Sequence, residues 1–350
     1  MVPAEDCTTH AMAVNDKPTS FDIAALAGVS QPTVSRALRG DSTVSEKTRL
    51  RIEAIAKQLN YKVDKNASSL RRGQSKTLAL LFFEDTPNGG SINPFFLAML
   101  GSILHACAAR GYDLLTSFQQ LSSDWHVDFE DSRKADGIIL LGYGDYAIYR
   151  GREEQLIRQG THFIRWGTAE PGSAGRTIGV DNFQGGYDAG RHLIERGRRR
   201  IAFIGDASDH YPEFLARYRG MAAAVAAAGL PPIDGLQVDA LSLDDHGFAA
   251  VATLLARDAE FDAIFAGSDL IAIGAMRALA EAGLRVPDDI AVIGFDDIPA
   301  ATLSQPPLTT IAQDFQLAGE KLVDTLVRQI ANEPFAPPVL PGRLIVRAST

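Results

Sequence analysis

Gln31, Pro32, Thr33, Ser35 and Arg36 fall within six consecutive positions, a set better suited to reading a polar surface than to breaking bonds. A guanidinium pairs bidentately with guanine and a carboxamide with adenine, while hydroxyls hold phosphates without reading sequence. Pro32 has no side-chain donor, so its contribution is apolar contact or shape. A second set is dispersed along the chain: Phe95, Phe96, Asp145, Trp166, Arg217, Ser268 and Asp296. Carboxylates and a guanidinium bind a polyol's hydroxyls in pairs, and aromatic faces cover its C–H surface. That mixture suits a saccharide. The seven histidines are scattered without ligand spacing, so the sequence offers no metal site, and no G-x-S-x-G nucleophile elbow occurs. Gly142-Tyr143-Gly144-Asp145-Tyr146-Ala147, after the apolar run 137–141, imitates a dinucleotide loop. Such a loop needs an acidic residue at the end of the next strand to hold the ribose, and that strand ends in Arg165-Trp166-Gly167. The expectation is a binding protein without a cofactor, not an enzyme.

Three short helices must position the first set. Thr19, followed three positions later by Asp22, makes a capping-box variant; Ile23, Ala24, Leu26 and Ala27 then give an apolar face. Gly28 breaks this helix in a tight turn. Ser30 caps the next, and Pro32 sits in its first turn, where a missing N–H costs nothing. Val34 and Leu38 point inward, which leaves the polar set pointing elsewhere. After Val44-Ser45 a third helix carries Leu50, Ile52, Ile55, Ala56 and Leu59 at helical spacing. A helix-turn-helix of this kind can place its second helix in a DNA major groove. Charge agrees: Lys17–Lys76 holds 12 Lys/Arg against 5 Asp/Glu, and the remainder 22 against 38. A basic head sits on an acidic body, as expected of a polyanion-binding segment attached to something else.

Asp22-Ile23-Ala24, Ala27-Gly28-Val29-Ser30, Thr33-Val34-Ser35-Arg36-Ala37-Leu38, Val44-Ser45, Thr48-Arg49 and Leu59-Asn60-Tyr61 resemble the lactose-repressor (LacI/GalR) family. The likeness continues through Asn93-Pro94-Phe95-Phe96, Val180-Asp181-Asn182, Arg217-x-x-Gly220, Ser268-Asp269, Gly294-Phe295-Asp296-Asp297 and Pro307-Leu308-Thr309-Thr310-Ile311. It implies a DNA-binding transcriptional regulator, in the first place a repressor of carbohydrate-utilisation genes released from its operator by a mono- or disaccharide. A co-repressor-dependent regulator sensing a non-sugar metabolite is the alternative. The resemblance puts Gln31, Pro32 and Arg36 at base-reading positions and Thr33, Ser35 and Asn60 on phosphates, with Thr19 and Ser30 among the candidate DNA contacts. It also implies that Asn66–Gly73 folds into a hinge helix only on DNA and pairs with that of a dimer mate on a palindromic operator. Ala67 and Leu70 would then enter the minor groove, with Arg71 near the phosphates; an apolar wedge there would bend the duplex. Arg217 and Asp296 coincide with the family's effector positions, whereas Ser268 stands where asparagine is often found.

Beyond Lys76, short apolar runs alternate with helical stretches, which implies parallel sheets covered on both faces. The expected architecture is an all-α helix-turn-helix head plus an α/β body of two parallel-sheet subdomains, which the family resemblance implies are of periplasmic-binding-protein type I fold. The expected boundaries are a disordered leader over 1–17, the head over 18–65, the hinge over 66–76 and an effector-binding and dimerisation domain over 77–350. Within the last, the N-subdomain takes about 77–178 and 309–338 and the C-subdomain about 179–308 and 339–350. Asp269 reads as a helix N-cap, and the long loop Glu84–Pro94 is either a cover for a larger ligand such as a disaccharide or a plain surface insertion. Mean hydropathy is near zero. No run approaches the ~20 apolar residues of a membrane span, the first residues lack an export signal, and Cys7 and Cys107 make no disulfide framework. These features lead to the expectation of a cytoplasmic protein with no membrane partner, and the resemblance implies a nucleoid-associated homodimer.

Overall fold

The computed structural model describes residues 18–61, 74–82, 92–118, 124–142, 144–168, 175–233, 235–257 and 260–350. The chain forms two compact units that divide between Gly73 and Gln74, called head and body below.

The head contains α1 (Ser20–Ala27), α2 (Gln31–Ala37) and α3 (Glu46–Gln58). The backbone N–H of Thr19 donates to Asp22 Oδ2 at 2.8 Å, and its hydroxyl accepts from the Asp22 N–H at 3.4 Å, closing the capping box. These bonds hold the Asp22 carboxyl below the usual carboxylate range, the Thr19 backbone donor contributing most. Gly28 ends α1 at φ 60°, a left-handed conformation that glycine adopts without penalty. Ile23, Ala24, Ala27, Val34, Ala37, Ile52 and Ala56 form the core. Two expected core residues are not in it: Leu26 and Leu50 are exposed, because each lies a position off the stripe that faces the other two helices. Ser30 occupies the N-cap position of α2, but its side chain makes no cap bond; it pairs with the Thr33 hydroxyl at 2.9 Å instead.

In the body, one sheet has the order β11-β5-β4-β3-β1-β2, built from β1 (Thr77–Phe82), β2 (Asp113–Phe118), β3 (Gly137–Leu141), β4 (Phe163–Trp166), β5 (Thr177–Val180) and β11 (Val339–Leu340). The other has the order β12-β10-β9-β8-β6-β7, from β6 (Ile201–Ile204), β7 (Gln237–Val238), β8 (Ala263–Ala266), β9 (Ala291–Asp296), β10 (Thr309–Ala312) and β12 (Arg343–Ile345). Every pairing is parallel except β10 with β12. Along β1, Leu78, Leu80 and Phe82 join one core cluster and Ala79 and Leu81 another. Both faces are buried, which is why these strands read as unbroken apolar runs. The helices are α4 (Pro94–Ala109), α5 (Tyr146–Gln159), α6 (Asn182–Glu195), α7 (Pro212–Ala227), α8 (Asp244–Ala256), α9 (Asp269–Glu281), α10 (Pro299–Leu303) and α11 (Phe315–Ile330), with a π-helical turn at Val127–Asp131. None of the described helices is long and apolar enough to cross a membrane.

The chain passes between sheets after β5, after β10 and between β11 and β12. This corrects two expected boundaries. Thr309–Ala312, expected in the N-subdomain, is strand β10 of the second sheet, in register with Ile293–Asp296. Val339–Leu340, expected in the C-subdomain, pairs with Gly179–Val180 in the first. A two-residue strand and a crossing in mid-motif leave no periodicity by which to place the switch.

Helices α6 and α7 are in contact through glycine. A Cβ added at Gly220 would overlap the Phe183 carbonyl, and one at Gly186 would overlap the Arg217 carbonyl. The neighbours are backbone and cannot rotate away. Gly220→Ala is therefore expected to destabilise the body by about 1–3 kcal/mol or more, read as a lower urea midpoint at unchanged slope; an unchanged midpoint would contradict this packing.

Candidate functional site

In the head, α2 separates its faces. Val34 and Ala37 are buried, Pro32 and Arg36 are exposed, and Gln31, Thr33 and Ser35 are half-buried. Gln31 Nε2 donates to Ser20 Oγ at 3.1 Å, and Arg39 Nε donates to the Ser35 carbonyl at 3.0 Å, so the helix carrying Arg36 is tied to α1 at its start and closed by an arginine at its end. Asn60 lies exposed just beyond α3, at φ 50°. Ala67, Leu70 and Arg71 lie outside the described residues, as does most of the loop Glu84–Pro94.

In the body, both sheets reverse strand order at a central strand, β1 in one and β6 in the other. Crevices of open α/β sheets open at the carboxyl ends of strands at such points. Arg217, on α7, is 1% exposed. Its Nε donates to Asn182 Oδ1 at 2.8 Å, its Nη1 donates to the Gly267 carbonyl, and Nη1 lies 3.9 Å from Asp296 Oδ1. Its guanidinium carbon sits 3.7 Å from the centroid of the Phe295 ring, within cation–π range. Asp296, also buried, has φ 117° and accepts from Gln313 Nε2 at 2.6 Å. A non-glycine residue at positive φ is strained, and such strain collects at functional sites.

Ser268 lies beside Gly267. It is the N-cap of α9, accepting from the Ile271 N–H at 3.4 Å and from Ser242 Oγ at 2.8 Å. Asp269, expected to be that cap, is instead the first helical residue, fully buried, and its carboxyl accepts from the Ile298 N–H at 2.9 Å and the Thr310 hydroxyl at 2.6 Å. Burial, and then the charge of Asp296, push this carboxyl well above the carboxylate range. Phe95 and Phe96 are both core residues; Phe95 packs on Trp166 with centroids 6.1 Å apart, and Trp166 is itself buried.

Asp145 stands apart from this group. It caps α5 and holds His210 Nδ1 at 2.8 Å, while the Tyr146 N–H donates to the His210 carbonyl at 2.8 Å. The Asp145 hydrogen bond raises the imidazole above its ordinary value. Other ties join the two subdomains: Asn93 Nδ2 donates to Ser242 Oγ at 2.9 Å, and Arg165, 2.7 Å from Glu153, also lies 3.6 Å from Glu213 on α7. Burial drives the Glu153 carboxyl up, Arg165 opposing and Glu213 assisting. The sequence reading missed Gln313, Ser242 and His210, which occupy connections without a motif, and it used Asn182 only as part of a motif.

Comparison with known proteins matches this two-part arrangement. Residues 21–64 match the model of bacterial regulatory proteins of the lacI family, and residues 191–350 match a periplasmic binding protein-like domain. The chain is 34% identical to the ribose operon repressor of Escherichia coli (strain K12), over 89% of this chain and 93% of that protein. Among solved structures it resembles the transcriptional regulator CelR in complex with cellobiose, at 30% identity and TM-score 0.71 over 95% of this chain and all of the other. It also resembles the Lac repressor dimer bound to operator and the anti-inducer ONPF, at 24% identity and TM-score 0.81 over 95% of this chain and 99% of that one. The fold and head define a class: regulatory proteins that join a DNA-binding helix-turn-helix to a periplasmic-binding-protein-like body. The chain belongs to the LacI family of bacterial transcriptional regulators.

The protonated form of Asp269 is favoured on folding, so its stabilising contribution is complete below the ordinary carboxylate range and is lost as pH rises through the raised folded-state value. Asp269→Asn keeps an acceptor without a charge and should flatten that loss in urea unfolding measured across pH. Asp269→Ala strands the Ile298 N–H and the Thr310 hydroxyl, at a cost of ~1–3 kcal/mol; equal stability of the two variants would refute this account.

Proposed function

We propose that this chain is a cytoplasmic, homodimeric repressor of carbohydrate-utilisation genes, without catalytic activity, that leaves a palindromic operator when a mono- or disaccharide enters its cleft. The observation carrying the saccharide assignment is the buried trio of Arg217, Asp296 and Phe295. A guanidinium and a carboxylate side by side can bind two hydroxyls of one sugar, and the aromatic residues nearby offer flat apolar surface, with Trp166 and Phe95 extending it. Gln313 and Asn182 hold this group in place, and with Ser268 they offer polar groups to further hydroxyls. The names of two similar proteins support the reading, since one represses a ribose operon and the other was solved with cellobiose.

In the head, Arg36 on the exposed face of α2 and Gln31 at its start read bases, with Pro32 adding apolar contact. Thr19, Ser30, Thr33, Ser35 and Asn60 hold the backbone and set register. Residues 66–73 serve as the hinge, with Ala67 and Leu70 as wedge and Arg71 on the phosphates. Folding of that segment only on the duplex makes it the switch. The ligand acts by binding the two states of the body unequally, by ~1–3 kcal/mol in typical cases.

Arg36→Ala is expected to cost ~1–3 kcal/mol at the operator and to relax preference at one base position; fluorescence anisotropy showing the same loss on random duplex would contradict base reading. Asp296→Ala should bind operator normally and no longer respond to the saccharide that releases the native protein. A native response at the same saccharide concentration would misplace the ligand.

A further inference from the structure

The body has a cavity of about 650 Å³ whose walls include Tyr146, Arg150, Thr168, Phe183, Asp209 and Arg219. Its volume lies in the range of small-molecule sites. Arg217, Asp296 and Ser268 do not line it. The two sites are separated by Asn182, whose carboxamide donates to the Thr168 hydroxyl at 2.9 Å on one side and accepts from Arg217 Nε on the other. Arg150 is carried by α5 of the first subdomain and Arg219 by α7 of the second, so each subdomain contributes one arginine to the lining.

These two cations are not consumed by the fold. Arg219 is exposed and has no carboxylate partner among the described residues. Arg150 has only a surface pair, with Nε 3.4 Å from Glu154 and both side chains more than half exposed, an interaction of little weight. Two arginines lining one space favour a phosphate, which a guanidinium can hold through paired N–H donors. Asp209, on the same rim, opposes a simple anion but accepts hydroxyls. Tyr146 and Phe183 supply aromatic surface, and Pro212 and Leu215 an apolar patch.

We propose that this cavity is a second ligand site, distinct from the saccharide cleft, which takes a phosphorylated monosaccharide: phosphate between Arg150 and Arg219, sugar hydroxyls on Asp209 and Thr168. Because the walls belong to different subdomains, such a ligand binds the arrangement in which they are together.

Calorimetric titration of the full chain with glucose 6-phosphate and ribose 5-phosphate, beside glucose, ribose and inorganic phosphate, tests this. At least one phosphoester should bind more tightly than its free sugar and than inorganic phosphate, and more weakly as salt is raised. Arg150→Ala and Arg219→Ala, both on exposed side chains, should each weaken it by about tenfold or more, while Asp296→Ala leaves it unchanged. The proposal is overturned by the absence of phosphoester binding, by inorganic phosphate binding equally well, or by loss in Asp296→Ala with retention in the arginine variants. The last result would put the phosphoester in the saccharide cleft. Failure of the saccharide reading alone would leave the phosphoester pattern intact.

Discussion

A guanidinium withdrawn from water must be surrounded by acceptors or its burial is prohibitively costly. Arg217 meets that requirement with groups from three separate stretches: the Asn182 carboxamide at the start of α6, the Gly267 carbonyl after β8, and Asp296 at the end of β9. It can reach all three only because α6 and α7 approach through Gly186 and Gly220. The same demand explains why Asp296 holds an unfavourable backbone angle and why Gln313 leans on its carboxylate. Asp269 underneath, with its carboxyl favoured in the neutral form, anchors the loop after β9 through the Ile298 N–H without adding a second buried charge.

This arrangement suits a device that changes shape. The groups gathered round Arg217 come mainly from the second subdomain, while Asn93, Asp145 and Arg165 reach across from the first to Ser242, His210 and Glu213. These are short polar contacts, and each can be exchanged for water or for ligand hydroxyls at modest net cost. Three crossings of the chain between the sheets confine the motion to opening, closing and small rotation, the usual repertoire of hinged α/β bodies.

Much of this was legible in the sequence, for physical reasons. Strands buried on both faces announce themselves as apolar runs, and β3 agrees with its expected span of 137–141. The capping box at Thr19–Asp22 and the turn at Gly28 place the head's first two helices, because a left-handed turn and an N-cap each demand particular residue types. What was not legible is informative. Leu26 and Leu50 are apolar and exposed, and hydrophobic spacing alone does not reveal which edge of a short helix faces its neighbours. The cap expected at Asp269 falls one residue earlier, at Ser268, since both residue types cap helices and spacing alone does not distinguish neighbours. β10 and β11 changed sheets because a crossing strand pairs by tertiary context. Gln313, Ser242 and His210 carry no pattern at all; three-dimensional closure alone brings them to Asp296, Asn93 and Asp145.

The central claim is that one sugar-binding cleft and one DNA-reading head are thermodynamically linked. Linkage is reciprocal, so the most direct measurement is saccharide affinity of the full chain with and without saturating operator duplex, set beside operator affinity with and without saturating saccharide. The account predicts that the operator weakens saccharide binding by the same factor as the saccharide weakens operator binding. Identical saccharide affinity in the presence and absence of operator would contradict it.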